Sequence, residues 1–269
     1  MNNTPRLTLA IETSGLPGSI ALCCGPECLV EAILDEAPRR HAQTLVSEIG
    51  RRLKETSRSV RELQAVAVSI GPGSFTGLRV GVVCAKTLAY ATGCRLAAVD
   101  TLRAIAANSG PGVERVHVMC DALRGDAYVA TYRLSAGVWT AEQPPSIVVA
   151  RTWLSERPPG DTISGPGLAT YGQLVPAECR QLSPETWIPR ARIIAQLGQE
   201  QLARGDAADC ATLEPFYLRR SAAEERRDGH SAAEERRAEH NAAEERQAEH
   251  SAAEERRAAS AAAPKGPQP

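Results

Sequence analysis

The chain has 269 residues, enough for one large domain or two modest ones with a sizeable apolar core. Its formal net charge of -1 and pI near 6.5 exclude a protein that grips nucleic acid by bulk charge alone. Eight irregularly spaced cysteines and an N-terminus without a signal-type apolar run exclude a disulfide framework and point to a reducing, cytosolic setting.

In chain order, "RLTLAIET" (6–13), "GSIALCC" (18–24) and "CLVEAILD" (28–35) are short apolar runs divided by Gly/Pro turns. They predict a three-strand antiparallel meander. In "HAQTLVSEIGRRLKET" (41–56), Leu45, Ile49 and Leu53 recur at i, i+4, i+8 and predict an amphipathic helix. "LQAVAVSI" (63–70) reads as a buried strand, and the turn "GPGSFTG" (71–77) leads into a helix over Phe75 to Thr92 that is apolar nearly all round. "CRLAAVD" (94–100) is a further strand. This order is a ribonuclease H-like α/β arrangement, a mixed sheet with helices on its faces.

The second half repeats the theme with strands at "VHVMCDAL" (116–123), "DAYVATYRL" (126–134) and "SIVVA" (146–150). A short helix at "RTWLSE", a strand at "DTIS", a second glycine turn "SGPGLATYG" (164–172) and an amphipathic helix "RARIIAQLGQEQLARG" (190–205) follow. Lobes of 1–102 and 103–220 are expected. From Ser221 to Ala263 no Val, Ile, Leu, Met, Phe, Tyr or Trp occurs, so this stretch cannot offset its ordering entropy by apolar burial. It is a repeat of period ten, "SAAEERRDGH", "SAAEERRAEH", "NAAEERQAEH" and "SAAEERRAAS". Ten residues advance a helix by about 1000°, leaving successive copies roughly 80° out of register, so a solvated helix or disordered tail is expected and no coiled-coil seam.

Three glycine-containing turns could carry an anion: "ETSG", "GPGSFTG" and "SGPG". Helix N-terminal amides bind phosphate, but glycine also serves close backbone packing, and "GPGSFTG" lacks the Lys-Ser/Thr of a P-loop. The nucleotide candidates are Glu12, Thr13, Ser14, Gly71, Gly73, Ser74, Gly165 and Gly167. His41 and His117 are the only histidines outside the repeat tail, and neither belongs to a nucleophile motif. Asp121 and Asp126 in "CDALRGDAY" could form an acid/base pair, against the commoner turn-capping role of aspartate. Arg51, Arg52, Lys54, Arg58 and Arg61 form one basic cluster, more often a solvated helix face than a nucleic-acid site. Cys23, Cys24 and Cys28 lack a second cysteine pair to complete a metal site, and read as small apolar packing.

"LAIETSGLPGSIAL", "HAQTLVSEI", "GPGSFTGLRVGVVCAKTLAYATGCRLAAVDTL", "CDALRGDAYVATYR" and "LEPFYLRRSAAE" together resemble the bacterial TsaB (YeaZ-like) family over Leu7 to Glu224. The resemblance implies a two-lobed member of the actin, Hsp70 and sugar-kinase superfamily. It also implies a non-catalytic role in forming N6-threonylcarbamoyladenosine at position 37 of ANN-decoding tRNAs. The implied partners are the transferase TsaD as a heterodimer, the ATPase TsaE in a larger complex, and a second copy of the chain when alone. TsaC (or Sua5) would supply the adenylate, and the chain needs no cofactor of its own, although ATP or ADP could lodge at a subunit boundary. Where the catalytic paralogue has two metal-binding histidines, this chain has Thr101 and Ile105 in "VDTLRAI", which make no iron or zinc site.

The same resemblance implies that pairing uses the two N-lobe helices, with His41, Leu45, Ile49, Phe75, Leu78, Arg79, Val82 and Lys86 as interface candidates. "GPGSFTG" would then position an interface helix. The competing expectation is an independent enzyme on this fold, a nucleotide-dependent kinase or ATPase, or a peptidase as an older family label suggested. Glu12 stands where that superfamily usually opens its first phosphate loop with Asp, and leaves a carboxylate available to a metal-bound nucleotide. The tail reads as an expansion of the family's C-terminal "SAAEERR" portion.

Overall fold

The computed structural model describes residues 6–34 and 41–219. The decapeptide repeat and the side chain of His41 lie outside them. The first sheet contains β1 (Leu7–Glu12), β2 (Ser19–Cys24), β3 (Glu27–Ile33), β4 (Ala65–Gly71) and β5 (Arg95–Asp100), in the order β3-β2-β1-β4-β5. β1 pairs antiparallel with β2 and parallel with β4, which pairs parallel with β5. The second sheet contains β6 (Arg115–Asp121), β7 (Asp126–Ser135), β8 (Val138–Val149), β9 (Thr162–Ser164) and β10 (Arg180–Gln181), in the order β10-β9-β6-β7-β8. Its antiparallel and parallel pairings repeat those of the first sheet strand for strand, down to the short edge strand β10, which pairs parallel with β9 as β5 does with β4.

The described residues also form six α-helices: α1 (His41–Glu55), α2 (Phe75–Thr92), α3 (Thr101–Ala107), α4 (Ala150–Ser155), the single turn α5 (Leu168–Tyr171) and α6 (Ala191–Ala203). The boundaries of α2 follow from its ends. Ser74 caps the start by accepting the Gly77 amide at 3.3 Å, and Gly93 closes it in the left-handed conformation at φ 72°. Asp100 caps α3 through the Leu102 amide at 2.8 Å.

Except for Ala150, which already opens α4, the expected second-half strand at 146–150 is the end of a twelve-residue strand, β8. Pro144 and Pro145 interrupt its apolar alternation, but β8 is an edge strand and its register shifts opposite Val129 to Thr131, so the prolines displace no central ladder bond.

Alternation along β1 divides the core in two. Leu9 and Ile11 face α1 and α2 in a cluster with Ile20, Leu22, Leu45, Ile49, Val66, Val68 and Val82. On the opposite face, Ala10, Ala21, Ala65, Ala67 and Ala97 make a shallow alanine floor under Ile194 and Leu197 of α6. The small floor lets α6 approach closely. A Cβ on Gly198 would come within 2.5 Å of the Ala67 Cβ, and Ile194 and Leu197, both buried, contribute about 1.5–3 kcal/mol each. Although α6 follows the second lobe in sequence, it therefore covers the first sheet, across the expected division at residue 102.

After α6 the chain stays on the first lobe. Ala208 donates to the Leu96 carbonyl at 2.8 Å along the β5 edge, and Phe216 donates to the Ile70 carbonyl at 2.7 Å. This strap, residues 206–218, lies against α2. Among the described residues no helix is long and apolar enough to cross a membrane.

Candidate functional site

The first glycine turn is filled by protein. Ser74 donates its amide to the Ser14 carbonyl at 2.6 Å, and a Cβ on Gly73 would lie 2.8 Å from the Ser14 Cβ. Cβ atoms on Gly77 and Gly81 would collide with the Thr13 carbonyl and the Thr13 Oγ1. The candidates Glu12, Thr13, Ser14, Gly71, Gly73 and Ser74 are thus brought together, but the glycines admit the β1 loop and α2 to each other. Close packing accounts for them.

The second turn repeats this. Gly71-Pro72-Gly73 and Gly165-Pro166-Gly167 both open with a glycine at positive φ, 117° and 114°. Gly167 donates to the Met119 carbonyl at 3.0 Å at the end of β6, the counterpart of β1, and a Cβ there would lie 2.7 Å from the Met119 Cγ. Gly165 and Gly167 are therefore packed within their own lobe, and the helix that follows, α5, is one turn long.

A buried polar group sits beneath the first turn. Glu12 accepts from the Ser14 amide at 2.6 Å and from the Ser14 hydroxyl at 2.5 Å. Burial pushes its carboxyl up to about 7, only partly offset by the Ser14 and Ser69 hydrogen-bonding groups. Across the lobes, the buried Tyr132 hydroxyl donates to Asp100, whose carboxyl burial also raises. Thr101 accepts the Gly71 amide at 3.1 Å and Ile105 is fully buried in the core beneath α3, so both positions are occupied by packing roles. Among the described residues no group of three or more His, Cys, Asp or Glu is arranged to hold a metal ion.

The other polar candidates are structural. His117 is buried, with Nδ1 2.9 Å from Thr131 Oγ1 and Nε2 2.9 Å from Asp161. Burial is the largest influence on it and lowers its pKa. Asp121 accepts from the Leu123 amide at 2.7 Å, the Tyr171 hydroxyl at 3.2 Å and the Thr170 hydroxyl at 3.3 Å, a turn-capping pattern. Within the basic cluster, Arg51 and Arg52 pair with Glu48, Arg52 also with Glu55, and Arg58 with Glu62, so much of its charge is balanced locally.

The α1/α2 face differs from the expected list. Leu45, Ile49, Leu78 and Val82 are 0–4 % exposed and belong to the core, because the face their periodicity defines points at the sheet. Phe75, Arg79 and Lys86 are engaged by the strap. Phe75 stacks at 4.8 Å from the Tyr217 ring, Arg79 lies over Phe75 and donates to the Tyr217 hydroxyl at 3.1 Å, and Lys86 donates to the Leu213 carbonyl at 2.9 Å. Among the described residues of α1 and α2, the large apolar side chains that face outward are Val46, Val83 and Tyr90, at 68 %, 61 % and 88 % exposure. Val46 and Val83 line an apolar groove of about 530 Å³ between the helices, with Arg79 at its edge. The exposed valines were the readable signal, since each lies on the helix side away from the buried stripe.

Two lobes built on the same strand order, each carrying one of the matched glycine turns, define a duplicated α/β protein of the actin-like class. The family model described as "TsaD: tRNA N6-adenosine threonylcarbamoyltransferase" matches residues 35–170. The chain is 29% identical to the tRNA threonylcarbamoyladenosine biosynthesis protein TsaB of Bacillus subtilis, covering 81% of this chain and 96% of that one. It is likewise 29% identical to the TsaB of Escherichia coli, over 82% of this chain and 98% of that protein. Among solved structures, YeaZ from Pseudomonas aeruginosa superposes with a TM-score of 0.71 at 26% identity, covering 79% of this chain and all of that one. The chain belongs to the TsaB/YeaZ-like family.

Proposed function

We propose that this chain takes part in forming N6-threonylcarbamoyladenosine at position 37 of ANN-decoding tRNAs, as a non-catalytic scaffold that pairs with TsaD. The observation that carries the reading is the exposed apolar face of α1 and α2. The exposed Val46 and Val83, with Leu45, Ile49, Val80 and Leu88, line a groove whose walls are carbon-rich, the composition of an interface core. The packed glycine turns support the scaffold role, because they hold α2 rigidly against the β1 loop. Pairing through this face leaves tRNA contact to the complex, with TsaE joining it and any ATP or ADP bound at a subunit boundary.

The test is to mix the full chain with its cognate TsaD, measure association by sedimentation velocity, and assay threonylcarbamoyl transfer with each protein alone and together. Association and transfer only from the mixture are expected. Val46→Glu and Val83→Glu, both at exposed sites, should weaken association by tenfold or more by burying unpaired charge. Undiminished association in both variants, or transfer by this chain alone, would overturn the reading.

A further inference from the structure

On the opposite side of the first lobe from the α1/α2 groove, the β2–β3 hairpin places two cysteines face to face. Cys23 and Cys28 are directly opposed in the antiparallel register. Opposed residues in such a pair lie about 4.5–5.5 Å apart at Cα with side chains on the same face, within the span of a disulfide. Their environments differ. Cys23 is 4 % exposed and packs with the alanine floor, whereas Cys28 is exposed. Both line a cavity of about 560 Å³ at the hairpin tip, walled on the far side by Arg192, Gln196, Gln199 and Glu200 of α6.

We propose that Cys23 and Cys28 form a reversible dithiol–disulfide pair, oxidised by a low-molecular-weight disulfide that reaches Cys28 through this cavity. In the first step the Cys28 thiolate attacks one sulfur of the disulfide RSSR, forming a Cys28–SR bond and releasing RS⁻. In the second, the Cys23 thiolate attacks the Cys28 sulfur, forming the Cys23–Cys28 bond and releasing the second RS⁻. The two cysteine protons end on the two RSH molecules, and the two electrons lost by the cysteines reduce RSSR.

The exposed thiol is the one that meets the oxidant, and the buried one is its resolving partner. Burial, reinforced by the Cys28 thiol within hydrogen-bonding reach, pushes the Cys23 thiol up to about 12, which slows the second step relative to the first. The cavity beside Cys28 gives the transient adduct room. Oxidation would staple the hairpin that also carries Glu31, whose carboxylate holds Arg190 at 2.6 Å and accepts the Arg192 amide at 3.2 Å at the start of α6.

The test equilibrates the reduced full chain with glutathione disulfide, alkylates the remaining thiols and measures intact mass. Proteolysis after Glu12, Glu27 and Glu31 without reduction then separates Cys28 from Cys23, with Cys24→Ser as background so that Cys23 is the only cysteine on its peptide. The expected result is a loss of two hydrogens and a disulfide linking residues 13–27 to 28–31. Cys23→Ser should stop at one glutathione on Cys28, and Cys28→Ser, changed at an exposed position, should acquire neither product at the hairpin. Cys23 and Cys28 both still alkylatable after equilibration would overturn the proposal.

Discussion

Ser74 donates its backbone N–H to the Ser14 carbonyl at 2.6 Å, and this bond seats the first glycine turn on the loop that follows β1. A methyl group on Gly77 would strike the Thr13 carbonyl, which the chain cannot move without disturbing β1. Gly77→Ala should therefore cost about 3 kcal/mol in urea unfolding, near the upper end for overpacking. Gly15→Ala, where no atom lies within 4 Å of the added carbon, should change stability by less than about 0.5 kcal/mol. Equal stability of the two variants would contradict the packing role.

Glu12 gives stability a slope with pH. Its folded pKa, about 7, lies above the ordinary carboxylate value of 4.5, so the folded chain keeps a proton that the unfolded chain releases. The penalty is absent below about pH 4.5, grows as pH rises, and is complete above pH 7, at about 3 kcal/mol. Glu12→Gln should remove that component. The difference in unfolding free energy between wild type and variant, measured from pH 4 to 8, should shift against the wild type over this window. A constant difference would show that the carboxyl is not held protonated.

His117 slopes the other way. Its pKa is lowered mainly by burial, so the unfolded chain takes up a proton below pH 6.5 while the folded chain resists it. This stability is present above pH 6.5 and lost as pH falls. The two effects oppose each other between about pH 4.5 and 6.5, and the wild type should vary less with pH there than either single variant. His117→Gln should steepen the decline in stability with rising pH, read by thermal unfolding at fixed ionic strength; an unchanged slope would rule out this titration.

The strap depends on Lys86, whose ammonium donates to the Leu213 carbonyl at 2.9 Å and the Ala211 carbonyl at 3.3 Å. Lys86→Met keeps the stem and removes the donor. Losing about 1.5 kcal/mol of charge-assisted hydrogen bonding should speed exchange of the Phe216 amide about tenfold. Unchanged exchange there would place the strap's stability in the Phe75, Arg79 and Tyr217 contacts instead.

Local signals in the sequence were read well where they were complete. Ser74 and Gly93 bound α2, and the paired GPG turns announced two lobes. The meander of the first lobe also followed from its Gly/Pro punctuation. The destination of α6 was not legible, because amphipathicity gives a helix a buried face without saying which sheet will cover it. For the same reason periodicity could not separate interface from core for Leu45, Ile49, Leu78 and Val82, all of which are buried, with Leu45 and Ile49 also lining the groove. The sequence did not announce α3, because a helix of seven residues is too short to show periodicity. β10, at two residues, carries no pattern at all.

Because α6 supplies one wall of the first sheet, the order of synthesis matters. A ribosome must finish the whole second lobe before Ala10, Ala21, Ala67 and Ala97 can be covered by Ile194 and Leu197. Until then the nascent first lobe has one face sealed by α1 and α2 and the other wet. Its folding is completed from the far end of the gene, and a fragment ending near residue 102 would present that alanine surface to whatever chaperone or neighbouring chain it meets.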